Sequence, residues 1–438
     1  MAFFMEEHAR ETLALCILAS TAEEARMEAL YERCCGLDVH KSSIAACILL
    51  EQKHRPQKHL RRFGCTTRDL LELAEWLRGF DVRHVAMEST GVYWKPVWNV
   101  LEEHFQMVLA NAQHIKAVPG RKTDMMDCQW IAELLRHGLL RGSYVPAPII
   151  RDLRDLTRTR ATLSQEQSSI SSRIQKLLES ANIKLASTVT HTMGKSGRAM
   201  LDAMVNGEES PERLADLALG KLRSKIPQLQ LALDGRIRDH HRFLLDSLLR
   251  QFRFLEAEIQ ALDARLEQLG QQHQELADAV SRWITVPGVE RVAAWSLVAE
   301  IGSDMTAFPS AAHLASWAGL CPGNHESAGK RLSGKSRKGS PWLRRMACQS
   351  AWAAVRTKNC YLSAQFKRLS ARRGSKRALI AVAHSLLVIG YHLQSKGCVY
   401  QELGSNYFDH LHAERLKRHL VKRLEGLGLT VTLQPQAG

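Results

Sequence analysis

The sequence predicts an α/β domain followed by an all-α remainder, and three observations carry that division. Between residues 33 and 110, short β-rich runs alternate with amphipathic helical segments. Beyond a linker at Pro146 to Pro148, apolar residues recur at spacings of three and four over long stretches, with no strand signal. The 438 residues are 45% hydrophobic, which suits a globular chain with two or three cores. The 60 Lys and Arg outnumber the 45 Asp and Glu, for a formal charge of +15. That balance suits a polyanionic partner without choosing among DNA, RNA and an anionic surface.

Taken in order, residues 1 to 28 read as an N-terminal extension, disordered or dispensable. Its apolar patch, Leu13 to Leu18, follows Glu6, Glu7 and Glu11, where a secretion signal needs positive charge. The runs RCCGLDVH and SIAACILLE, between Arg33 and Glu51, form a hairpin turning at Lys41 and Ser42. A third strand, Lys58 to Cys65, leads into Thr66-x-x-Asp69, a capping box that opens a helix with Leu70, Leu73, Ala74 and Leu77 on one face. His84 to Glu88 is a strand, Val92 to His104 a helix with Val97, Trp98 and Leu101 inward, and Gln106 to Ala110 another strand. After the Pro119-Gly120 break, Thr123 caps a helix ending near Gly138. Three strands, a helix, then strand-helix-strand is the order of an RNase H-like fold, a mixed sheet flanked by helices, here over residues 29 to 148.

Residues 149 to 280 form a helical arm. Leu153, Leu156, Arg160, Leu163, Gln167, Ile170, Ile174, Leu177 and Ala181 alternate spacings of three and four, and a cleaner stripe runs through Leu245, Leu248, Phe252, Leu255, Ile259, Leu262, Leu266, Leu269, His273 and Leu276. The stripe supports a coiled coil and hence self-association; two amphipathic helices in an ordinary bundle are the alternative. The stretch from Gly194 to Pro227 has weak periodicity and receives no element. A third domain spans 281 to 400, followed by a C-terminal tail, 401 to 438. The turn Val286-Pro287-Gly288-Val289 and the helix to Ile301 resemble the second half of a helix-hairpin-helix, whose turn amides meet phosphate. Glu290 opposes that, and a purely structural helix start stays open. Ala378 to Leu393 is apolar but interrupted by His384, Ser385 and His392, and reads as a buried helix rather than a membrane span. The ten cysteines show no CxxC pair or zinc spacing, as expected of reduced cytosolic thiols.

Four acids stand out. Asp38 lies mid-strand between Leu37 and Val39, so alternation turns it to the other face. Glu88 ends a strand, where α/β folds place their sites. Asp124 and Asp127 sit one turn apart, on a helix face continued by Ile131 and Leu134, which aims both at the sheet. Converging carboxylates are what a hard divalent cation, Mg²⁺ or Mn²⁺, needs in phosphoryl transfer. Singly, Asp124 and Asp127 could serve a helix N-terminus, Asp38 a turn, and Glu88 a pair with Lys95.

The segments GLDVHK (36 to 41), AMESTGVYW (86 to 94), RKTDMMDCQWIAELL (121 to 135) and, near the C-terminus, PGVE, AEIG, HLASWAGLCPGNHESAGK resemble the insertion sequence 110 family of transposases, the bridge recombinases, over about residues 27 to 400. The resemblance implies a RuvC-like DEDD motif on Asp38, Glu88, Asp124 and Asp127, which coincides with the acids chosen above. It also implies a catalytic serine, Ser327, that residue chemistry alone does not select; Ala328 stands where many relatives have glycine. The loop around it is cationic, with Lys330, Arg331, Lys335, Arg337, Lys338, Arg344 and Arg345 and no acid between Ser327 and Arg345, as suits a phosphate-handling loop or a solvated one. A second basic cluster, Lys367, Arg368, Arg372, Arg373, Lys376 and Arg377, suits a nucleic-acid backbone or a solvated helix face.

What the resemblance implies is DNA strand exchange by phosphoserine chemistry between donor and target DNA. A noncoding guide RNA would direct it, and the assembly would be a dimer of dimers in which the acid domain of one subunit meets the serine domain of another. The expected location is the bacterial cytoplasm, at the nucleoid and away from membranes. A metal-only RNase H-like nuclease or transposase with a structural Ser327 is the alternative, and a binding protein with relic acids is a further one.

Overall fold

The structure is a computed structural model that describes residues 29–52, 56–88, 91–110, 127–323, 325–327, 330–334, 336, 338–411 and 413–434. The chain divides into two compact units, Met1–Val145 and Pro146–Gly438.

The first unit is built on a five-stranded mixed sheet. β1 (Arg33–Val39), β2 (Ile44–Leu50) and β3 (Gln57–Phe63) form an antiparallel meander, with Asp38 opposite Ala45 in the first hairpin. Helix α1 (Thr67–Gly79) starts in the expected capping box: Thr66 Oγ1 accepts from the Asp69 amide, and the Thr66 amide donates to Asp69 Oδ2 at 3.0 Å. β4 (His84–Glu88), α2 (Trp94–Leu101) and β5 (Gln106–Ala110) follow, with β4 parallel to both β1 and β5. The strand order is β3-β2-β1-β4-β5. α2 is shorter at both ends than the stretch Val92 to His104 that periodicity suggests.

The final helix of this unit, α3 (Asp127–Arg136), completes a three-layer arrangement. Cys35, Leu37, Val39, Val85 and Met87 face a core shared with α1 and α2, while Cys34, Cys47, Leu49 and Ala86 face Cys128, Ile131 and Leu135 of α3. This is period-two alternation in a central strand buried on both faces. The Thr123 cap falls outside the described residues.

The second unit is mainly helical. α4 (Pro148–Ser180) is followed by α5 (Leu185–Thr188), α6 (Lys195–Val205), α7 (Pro211–Asp216), a 3₁₀ turn (Gly220–Lys225), α8 (Ile226–Leu233) and the long α9 (Asp239–Gln272). The weakly periodic stretch from Gly194 to Pro227 thus carries helices, held by Met200, Leu201 and Met204 against α9 and by Leu214 against α8. α4 and α9 run in opposite directions: Arg160 pairs with Asp263 near one end, and Ser180 approaches His241 near the other. The apolar stripe of α9 is therefore satisfied at least in part within the chain, and it drifts from the strict repeat, since Leu249 rather than Leu248 is buried.

α10 (Gln274–Ile284) and α11 (Arg291–Ile301) make a helix hairpin across the Val286 to Val289 turn. Gly288 adopts φ +82°, and a Cβ there would fall 2.2 Å from the Ala354 amide nitrogen of α13 (Pro341–Arg356), so the turn is packed on a helix backbone. After α12 (Ala311–Trp317) the structure departs from the expectation of a strand-free remainder: β6 (His325–Ser327) and β7 (Lys330–Ser333) form a small hairpin. α14 (Tyr361–Arg373) and α15 (Ser375–Lys396) follow. α15 is long and apolar enough to cross a membrane, yet half of its most apolar stretch is buried inside the protein. Gly390 sits on the fully buried ring of Trp283. The tail carries two further helices, α16 (Tyr407–Leu411) and α17 (Ala413–Glu425).

Candidate active site

Asp38 is the sixth residue of β1 and Glu88 the last of β4. The two strands are parallel, and the last matched pair is Leu37 with Met87, so Asp38 and Glu88 stand side by side one position further on. Alternation puts Asp38 on the face of Cys34 and Gly36, and Glu88 on the face of Ala86, the face that α3 covers. Both acids thus lie at the C-terminal ends of neighbouring strands under the same helix.

Gly36 sets how close that helix comes. A Cβ on residue 36 would lie 2.2 Å from the carbonyl oxygen of Cys128 and 2.4 Å from the amide nitrogen of Ala132. Only a glycine lets the α3 backbone lie on the strand there. α3 begins with Asp127, half-buried, and continues one turn later with Ile131 in the core. The electrostatics agree with this placement: the Cys128 thiol is pushed up by burial first, then by the Asp38 carboxylate, with a smaller contribution from Asp127. Asp124, the remaining acid of the quartet, lies outside the described residues. Among the described residues no three His, Cys, Asp or Glu side chains come together closely enough to hold a metal ion.

Asp38 is 8% exposed, and its Oδ2 lies 3.0 Å from His40 Nε2. His40 was missed from the sequence, although it follows Asp38 by two residues, just past the end of β1, and the motif GLDVH contains both. The carboxylates suit a hard cation: oxygen donors on adjacent strands, one of them largely removed from water. The nearby thiols do not. Burial pushes Cys34 and Cys47 up to about 12 and Cys35 well above the ordinary thiol value, so all three stay protonated and are poor ligands or nucleophiles.

In the second unit, Ser327 ends β6 and pairs through the backbone with Lys330 of β7, with Glu326 opposite Arg331. Ser327 is therefore at the tip of a β-hairpin rather than in an irregular loop. Lys335 and Arg337 lie outside the described residues, and Lys338 is exposed. Arg344 is engaged inside the protein, donating to the Gly319 carbonyl and to Ser336 Oγ, both at 3.1 Å. Arg345 is exposed beside the Trp342 ring. Lys367, Arg368, Arg372 and Arg373 are exposed on α14.

A second residue missed from the sequence is Glu300, 3% exposed on α11. Arg158 of α4 donates to both its carboxylate oxygens, at 2.8 and 3.0 Å, and Ser340 Oγ donates to Oε2 at 3.1 Å. Ser340 also caps α13, accepting from the Leu343 amide. Gly339 lies against the backbone of Trp317 to Gly319, with no room for a Cβ. Glu300 thereby ties the C-terminal end of the hairpin segment to the helical arm. An acid inside the apolar run VAAWSLVAEI was its signal.

The chain matches two family models. Residues 35–183 match the DEDD transposase model of IS110 elements, and residues 281–368 match the transposase model of the IS116/IS110/IS902 family. It is also similar to the transposase y4pF/y4sB of Sinorhizobium fredii, 31% identical over 159 residues, which are 35% of this chain and 40% of that protein. The matched segments contain the paired strand acids, α3 and the Ser327 hairpin, and on that ground the chain belongs to the IS110 family of transposases.

Proposed function

We propose that this chain is a transposase that cuts and rejoins DNA, with Ser327 as nucleophile and the RNase H-like unit as its acid site. The observation that carries the reading is the placement of Asp38 and Glu88 on adjacent parallel strand ends beneath a helix that begins with Asp127. Asp38, Glu88, Asp124 and Asp127 would hold Mg²⁺ or Mn²⁺, which when bound supplies charge stabilisation to a phosphate oxygen. His40, 3.0 Å from Asp38, orients that carboxylate.

In the cutting step the Ser327 Oγ–P bond forms and a P–O bond to the sugar breaks. The serine proton passes to a base, and the departing sugar oxygen leaves as a free hydroxyl after taking up a proton. In the joining step a hydroxyl of the second strand attacks the same phosphorus and releases the serine, so one phosphodiester is exchanged for another without outside energy. Lys330, Arg331, Lys335, Arg337, Lys338 and Arg345 offer positive charge to the phosphate, and Arg344 shapes the loop. Lys367, Arg368, Arg372 and Arg373 track the DNA backbone. A noncoding RNA selecting the two DNAs and assembly through the helical arm complete the reading, as the family resemblance implies.

The test uses the full chain, DNA carrying the element ends, the element's RNA, and Mg²⁺. A protein–DNA adduct that resists denaturation is expected with the parent and lost with Ser327→Ala, while Asp38→Ala removes strand cleavage. Full cleavage by Ser327→Ala would instead favour the metal-only nuclease.

A further inference from the structure

We propose that the C-terminal helices α16 and α17 extend the basic row of α14 into a two-walled DNA-backbone site, whose second wall, with Arg415 and His419, lies beyond the family-matched segment. The match ends at residue 368, within α14. Beyond it, the chain returns to the start of α14. Glu402 Oε1 accepts from the Tyr361 amide at 2.7 Å and from the Gly404 amide at 2.9 Å, pinning the returning segment. Tyr361 then stacks on Phe408 at 5.2 Å, and the Arg368 guanidinium lies 5.1 Å from the centre of the Phe408 ring. This aromatic wedge holds α16 and orients Arg368.

A cavity of about 670 Å³ lies between these helices. Lys367, Arg368 and Arg372 line it from α14, Arg415 and His419 from α17, and Asp409 is the one acid on its wall among the described residues. Arg368 and Arg372 are four apart on one helix, and Arg415 and His419 four apart on the other, so each pair forms a row on one helix face. Both rows border the same cavity. No carboxylate among the described residues forms an ion pair with Lys367, Arg368, Arg372 or Arg415. Elsewhere in the same unit, Arg158 and Arg160 also face a cavity but are paired, with Glu300 and Asp263. Exposed cations gathered without counter-charge are stabilised by a polyanion. Rigid rows of arginine suit phosphate oxygens, and the positioning they give is independent of base sequence.

This site rests on the reading that the chain acts on DNA, so binding is measured in full-length protein carrying Asp38→Ala, apart from the joining chemistry. The probes are a linear duplex DNA of arbitrary sequence and an RNA of matched charge, titrated over a series of salt concentrations. Adding Arg368→Gln, Arg372→Gln and Arg415→Gln is expected to reduce the slope of log affinity against log salt for duplex DNA by about 2 to 3, roughly 0.9 for each phosphate that is no longer neutralised. Arg415→Gln alone, on an exposed helix, should reduce it by about 0.9, and Arg415→Lys should restore it. An unchanged duplex slope in both glutamine variants, with the melting temperature preserved, would overturn the proposal. So would a change confined to the RNA.

Discussion

Replacing Gly36 with alanine tests the link between sheet packing and the acid site. The added Cβ would sit 2.2 Å from the Cys128 carbonyl oxygen, whereas ordinary contact begins near 3.4 Å, so α3 has to move away from β1 by about 1.2 Å. Both clashing atoms, Cys128 O and Ala132 N, are helix backbone, and no side-chain rotation relieves them. Overpacking of this kind costs about 1 to 3 kcal/mol. In a unit of this size that corresponds to a fall in melting temperature of roughly 3 to 15 °C. The consequence for chemistry is larger. Asp127 is carried on the displaced helix while Asp38 and Glu88 stay on the strands, and a shift of about 1 Å in a catalytic constellation can cost on the order of 10²-fold in rate. The assay is Mg²⁺-dependent strand cleavage by folded Gly36→Ala protein, alongside a thermal melt. Parental cleavage and melting together would refute the argument that this glycine sets the height of α3 over the acids.

Two further outcomes follow from particular contacts. Glu300→Ala leaves the Arg158 guanidinium and the Ser340 hydroxyl without their shared acceptor. The expected loss is about 3 kcal/mol in urea denaturation, the low end for a broken buried pair, because Arg158 keeps about a third of its side chain in water. Combining it with Arg158→Met should recover most of that, and parental stability in the single variant would show the network to be idle. At the other end of the chain, Thr66→Ala should cost about 1 kcal/mol by removing the cap of α1. Hydrogen bonds from Thr66, the side chain first and the amide second, hold the Asp69 carboxyl below its ordinary 3.8. Its contribution is therefore complete above that value and is lost as pH falls through the lower folded value. The gap between Thr66→Ala and parent in thermal melts should narrow on acidification below 3.8, and a gap that widens would contradict the capping box.

Much of the first unit was legible in the chain because its signals are local. Alternation in GLDVHKSSIAACILLE specifies a hairpin, Thr66 and Asp69 announce a helix start, and an acid between two apolar strand residues must point to the face opposite theirs. Four candidate acids could be chosen from residue type and order, and the family resemblance pointed to the same four. The β6–β7 hairpin was not legible, because three- and four-residue strands rich in charge carry no apolar period. Weak periodicity hid α6 and α7 for a related reason, their core contacts being few and scattered along the sequence.

What the sequence by itself determined was the inventory: an α/β unit, a helical remainder, and the carboxylates, serine and cationic runs available for phosphate chemistry. Tertiary structure alone decided the neighbours. Asp38 stands beside Glu88 because β1 and β4 pair in parallel in one register, and α3 rests on them because residue 36 has no side chain. Glu300 finds Arg158 across 142 positions, and Arg415 comes to border a cavity with Arg368 because an aromatic stack returns the chain to α14. Periodicity is a property of one element, whereas register, close approach and ion pairing belong to two elements at once, and they exist only after the chain has closed on itself.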